Sequence, residues 1–132
     1  MINTPAIMLI TADEDRRVTL SRLLRRAGFV VQLACSDREA IHSLAVPTAG
    51  ASTLPSLIIV DQVSLGSGAE RVIGCVHRAE LDVPMVVVSS FGAAEDIIGC
   101  LRAGASDYLQ VPAANDEVMH IVQRVLSHHM VL

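Results

Sequence analysis

The sequence predicts an α/β domain built as a doubly wound (βα)5 sheet, and three observations predict it. Five short apolar runs alternate with five helical patterns along 132 residues. The runs are brief and rich in β-branched residues, as strands buried on both faces are. The stretches between them carry helix caps and apolar residues at helical spacing. Strict alternation of this kind implies a parallel sheet covered by helices on both faces. Right-handed crossovers then make the sheet doubly wound.

The five runs are Ala6–Thr11, Phe29–Ala34, Leu57–Val60, Met85–Ser89 and Ser106–Gln110. The first helix is expected to start near Asp13, with Asp13, Glu14 and Asp15 at its positive end. It closes on Arg25 and Arg26 before Gly28, as the helix dipole and a glycine cap favour. Arg16, Arg17 and Arg22 add to a basic helix whose interleaved acids favour a solvated face. The second helix opens on Ser36-Asp37-Arg38-Glu39, a capping-box pattern. Pro47–Pro55 reads as a surface loop, and Gln62–Gly68 as another. The fourth helix runs from about Ala93 to Gly104. The fifth carries Val118, Ile121, Val122, Val125 and Leu126 on one stripe facing the sheet, with Asn115 as its expected N-cap.

Composition excludes several functions. Hydrophobic residues make up 52% of the chain, with one Tyr, two Phe and no Trp, so the core is aliphatic. A net charge of −4 gives no basic footprint for nucleic acid. The stretch Ala40–Val60 lacks acids, Lys and Arg, but Pro47, Gly50 and Pro55 break it, so it is not a membrane span. No secretory signal is evident, and the expected compartment is the cytoplasm. Cys35, Cys75 and Cys100 are too scattered for a disulfide framework or a zinc site. His128-His129 are adjacent, so they do not share a helix face, and an exposed tail is expected there. His42, His77 and His120 are expected on surfaces. Gly66-Ser67-Gly68 is too short for a phosphate-binding loop.

Open parallel sheets bind ligands at the carboxyl ends of their strands. Asp13, Asp61, Ser89 and Val111 all fall at or just past strand ends. Asp61 follows Leu57-Ile58-Ile59-Val60, and Ser89 ends another apolar run. Arg17, Leu20, Leu24 and Gly28, then Gly104-Ala105, Tyr108-Leu109 and Pro112, complete a pattern spread over nearly the whole chain. This pattern resembles the receiver domain of two-component response regulators, a CheY-like fold of flavodoxin-like topology. The resemblance implies one domain over residues 1–132, standing alone or belonging to a longer regulator. It implies Asp61 as the phosphoryl-accepting position, Ser89 and Tyr108 as switch residues, and a cis proline at Pro112.

The same resemblance shows what is missing. The acidic pair that helps hold Mg²⁺ falls on Thr11 and Ala12, and the lysine before the proline falls on Val111. Mg²⁺ needs hard oxygen ligands in near-octahedral geometry, and Ala12 offers none. No cofactor is expected, and Mg²⁺ only if Asp13 rescues the metal site beside Asp61. Phosphoryl transfer is catalysed by positioning and charge neutralisation. Losing such contacts costs several kcal/mol, roughly a thousand-fold in rate. The expected function is therefore a degenerate receiver, not an enzyme, that acts by protein–protein interaction. One rival is a conventional receiver phosphorylated at Asp61 by a histidine kinase. The other is a small flavodoxin-like cofactor binder. The implied partners are a histidine kinase, an output domain, another protein or a second copy of the chain. The implied face comprises the fourth helix, fifth strand and fifth helix, near Arg102, Asp107 and Tyr108.

Overall fold

The computed structural model describes residues 5–45 and 54–130. The loop expected at Pro47–Pro55 therefore falls largely outside the described residues. Five strands, β1 (Ala6–Ile10), β2 (Val30–Ala34), β3 (Leu57–Asp61), β4 (Met85–Ser90) and β5 (Asp107–Val111), form one parallel sheet in the order β2-β1-β3-β4-β5. The helices are α1 (Glu14–Arg26), α2 (Asp37–Ala45), α3 (Gln62–Leu65), α4 (Ser67–Arg78), α5 (Ala94–Ala103) and α6 (Asn115–Met130). Among the described residues that is six where five were expected, because the loop after Asp61 closes into one helical turn, α3. The Asp61 carboxylate caps this turn by accepting from the Val63 N–H at 3.1 Å.

β3 lies at the centre of the sheet and is buried along its whole length. Alternation along the strands divides the core in two. Leu57, Ile59, Val86 and Val88 pack against Leu20 and Leu24 of α1 and Val118, Val122 and Val125 of α6. Ile58, Val60, Met85 and Val87 pack against Ala40 of α2, Val72, Ile73 and Val76 of α4 and Cys100 of α5. Each fully buried Leu, Ile or Val contributes roughly 1.5–3 kcal/mol, so the two faces hold the strand ends in fixed register.

The ends of the helices follow local chemistry. Asp13 caps α1 by accepting from the Arg16 N–H at 2.9 Å. Ser36 caps α2 by accepting from the Glu39 N–H at 3.1 Å. The Glu39 carboxylate reaches back to the Cys35 N–H at 3.3 Å. Asn115 is the first helical residue of α6 and not its cap. The Ala114 carbonyl accepts the first helical bonds, from the Glu117 and Val118 N–H groups. His128 and His129 belong to the last turn of α6, not to a tail beyond it, and His129 Nε2 lies 3.1 Å from Asp82 Oδ1. The Val111–Pro112 peptide bond is cis.

Candidate functional site

The order β2-β1-β3 makes the space above β1 and β3 a topological switch point, where such sheets place ligands. Asp61 ends β3 there, with its side chain fully buried. A buried carboxylate needs partners that compensate for lost hydration, and this one has four. Thr11, just past β1, donates its hydroxyl to Oδ2 at 2.7 Å. Ser64, on α3, donates its hydroxyl to the same oxygen at 2.9 Å. Arg16, on the first turn of α1, donates from Nη1 to it at 2.8 Å. The other oxygen, Oδ1, takes the Val63 N–H.

The donors are themselves held. Thr11 Oγ1 accepts from the Asp13 N–H at 3.1 Å, and Ser64 Oγ accepts from the Ala12 N–H at 3.0 Å. Thr11 and Ser64 lie 3.3 Å apart, hydroxyl to hydroxyl. Bonds in such a chain polarise one another, and a fully satisfied buried network fixes one arrangement. The guanidinium also lies 3.5 Å from Asp13 Oδ2, so the Asp13 carboxylate holds both the backbone N–H and the side chain of Arg16.

Two of these residues correct the sequence reading. Arg16 was expected on a solvated helix face, but it turns inward onto Asp61. Its side chain is only 20% exposed. The reason is positional. α1 starts just beyond the end of β1, beside β3, so the first inward-facing turn of α1 looks onto the end of β3. Ser64 was assigned to a featureless loop, yet α3 presents its hydroxyl to Asp61. A signal for Arg16 existed. A cation in the first turn of a helix opposes the helix dipole, so a facing carboxylate is needed to hold it there.

The remaining candidates are spread around this centre. Ala12 is exposed and contributes its backbone N–H. Val111 is half-buried and packs against the α1–α6 side of the core. With Arg16, Asp13 and Pro112 it lines an open cleft of about 460 Å³ between α1 and the β5–α6 junction. Ser89 is fully buried, and among the described residues its hydroxyl has no hydrogen-bond partner. Tyr108 is 40% exposed on β5, so the structure does not bring its ring into the Asp61 network. Phe91, which lines the same surface cleft as Tyr108, and Ile98 and Leu101 of α5 are also exposed. Among the described residues no group of three His, Cys, Asp or Glu converges to hold a metal ion. No described helix is long and apolar enough to cross a membrane.

Several titratable groups away from this centre depart from ordinary behaviour. Burial pushes the Cys100 thiol up to about 11, with Glu70 and Asp96 adding to the effect. The Cys35 thiol is raised by its hydrogen bond to the Glu39 carboxylate, which lies 2.9 Å from the sulfur. The Arg71 guanidinium, bonded to Asp37 across α2 and α4, holds the Asp37 carboxyl below the usual range.

Known proteins agree on the type of domain. The chain is 28% identical to the transcriptional regulatory protein PrrA of Mycobacterium leprae, over 95% of this chain and 51% of that protein. It is 27% identical to the C4-dicarboxylate transport transcriptional regulatory protein DctD of Rhizobium meliloti, over 94% of this chain and 26% of that protein. The chain thus spans about half or less of these curated relatives. No protein-family model matches it. Among solved structures, it superposes on a putative response regulator from Chloroflexus aurantiacus with a TM-score of 0.78 at 24% identity, covering 95% of this chain and 99% of that one. A CheY-like receiver domain from Methanospirillum hungatei gives a TM-score of 0.82 at 16% identity, covering 96% and 97%. At these identities the superpositions establish the fold; a third sequence relative, 27% identical over 91% of this chain and 50% of that protein, is the response regulator MprA of Mycolicibacterium vanbaalenii.

Proposed function

We propose that this chain is a CheY-like receiver domain of the two-component response regulators, which its fold and its sequence relatives support, and that it signals by protein contact with little or no phosphoryl transfer to Asp61. The observation that carries this reading is the occupation of the Asp61 carboxylate. Its Oδ2 already accepts from Thr11, Ser64 and Arg16, and no part of Asp61 is exposed. A nucleophile must present a free lone pair to the phosphorus. Here Oδ2 lies under a guanidinium and two hydroxyl groups, and Oδ1, which accepts the Val63 N–H, is buried with it.

The residues present do not fit a Mg²⁺ ion. Thr11 and Ala12 supply no carboxylate, and Asp13 is committed to capping α1 and contacting Arg16. A divalent ion at Asp61 would sit against the guanidinium, cation beside cation. Val111 supplies no ammonium for a phosphoryl oxygen, and charge-assisted bonds of that kind are the strong ones. Contact with a partner or an output domain is assigned to α5, β5 and α6. There Phe91, Ile98, Leu101 and Tyr108 leave apolar surface exposed. The relatives that extend beyond the matched region are named as transcriptional regulators, which favours an output domain as the occupant of that face.

The test is incubation with acetyl phosphate and Mg²⁺ beside an ordinary receiver, followed by intact-mass measurement. The expected outcome is an unmodified protein while the control is labelled. Rapid labelling at Asp61 would return the chain to the conventional class. One observation favours that alternative: the buried Ser89 hydroxyl without a partner. Such a group costs about 1–3 kcal/mol and would be satisfied by an incoming acceptor oxygen.

A further inference from the structure

We infer that Arg16 is the resident cation of the Asp61 pocket and the determinant that keeps a divalent ion out of it. This rests on the reading of Asp61 as an unphosphorylated position and goes further by assigning the charge balance to one side chain. Three observations carry it. The Arg16 guanidinium is the one cation in contact with Asp61 among the described residues, at 2.8 Å. Asp13, placed where an acidic ligand might otherwise serve a metal, instead holds Arg16 through its backbone N–H and its guanidinium. Val111 faces the same cleft as Arg16, so the apolar residue stands near the arginine and not near an unoccupied charge.

Arg16 and Val111 therefore read as one exchange: the cation has moved from the end of β5 to the first turn of α1. A metal leaves a pocket when its concentration falls, whereas a side chain does not. Carboxylates added at positions 11 and 12 would supply metal ligands but would still meet a fixed positive charge at Asp61 Oδ2. Arg16 acts here as a positioning and excluding residue, touching the carboxylate and taking no part in bond making.

The experiment has two arms on the whole chain. The first is a double-mutant cycle of Arg16→Met and Asp61→Asn, read by urea denaturation. Direct partners couple, so the double variant should retain at least about tenfold more of the folding equilibrium constant than the two single losses predict. Additive losses would overturn the inference. If Arg16→Met does not fold alone, recovery of folding in the double variant is the supporting result, and failure of both overturns it.

The second arm is Mg²⁺ titration of Thr11→Asp/Ala12→Asp, with and without Arg16→Met. The expected result is at least about tenfold tighter binding once Arg16 is removed. Equal affinity would overturn the excluding role. Labelling of the unaltered protein by acetyl phosphate is a separate readout. It would remove the reading of Asp61 while leaving the cycle intact, whereas an additive cycle would remove the inference while leaving the protein unlabelled.

Discussion

Thr11 shows how a single substitution changes the chemistry of a pocket at residue scale. A carboxylate at this position would repel Asp61, whereas the hydroxyl donates to it and accepts from the Asp13 N–H in turn. Thr11→Val keeps the shape and removes both bonds. It is expected to destabilise the fold by about 1–3 kcal/mol, read as a lower urea midpoint. An unchanged midpoint would mean that Ser64 and Arg16 satisfy Oδ2 without it. Alternation of apolar runs located Asp61 and Val111 at strand ends, while Thr11 and Ala12 were singled out only by the resemblance to receiver domains. Neither signal disclosed Arg16 or Ser64. The Arg16–Asp61 bond joins residues 45 positions apart and depends on β1 lying beside β3. Ser64 depends on a helical turn that only the Asp61 cap reveals.

The strands were legible to within one residue at each end, from partly exposed β2 to fully buried β3. β3 and β4 are continuous apolar runs because helices cover both faces, and their limits fall within one residue of expectation. α3 was missed because one turn has no period to detect. The start of α6 was misplaced by one residue because Ala114 caps through its carbonyl and offers no side-chain signature. Between elements, the Asp37–Arg71 bond ties α2 to α4. Its pH dependence has a definite sign. The Asp37 carboxyl is held below its ordinary value by Arg71, so the bond's contribution is present above the unfolded value of about 3.9. It is lost as the pH falls through the lower folded value. Solvent screens the pair, since the Arg71 side chain is 59% exposed, so the effect is small. The difference in stability between the native chain and Asp37→Asn should be flat above about pH 5 and shrink in acid. A difference that persists undiminished in strong acid would mean that Asp37 acts by packing and not by charge.

For the whole molecule, alternation of apolar runs with capped helices carried the fold, because a parallel sheet leaves few other arrangements. What alternation cannot convey is which surface meets a partner. The face of α5, β5 and α6 is the strongest candidate, with Phe91 beside it the most exposed large apolar side chain among the described residues, at 65%. Phe91→Glu combined with Tyr108→Ala should leave the unfolding midpoint nearly unchanged, as exposed positions away from special features do. The same pair should weaken self-association or output-domain contact by about tenfold or more, as loss of an aromatic anchor does, measured by sedimentation or by titration with the output domain. Unaltered association would move the interface elsewhere.

The guanidinium on Asp61 also bears on time. An acyl phosphate is made and hydrolysed, so a conventional receiver reports recent history and then forgets it. Arg16 is tethered to its carboxylate by the chain itself, so its local concentration is set by the fold. Its occupancy of the pocket follows neither dilution nor supply. Under the function proposed above, a pocket neutralised in this way keeps no record of past signals, and whatever changes its output arrives from outside it.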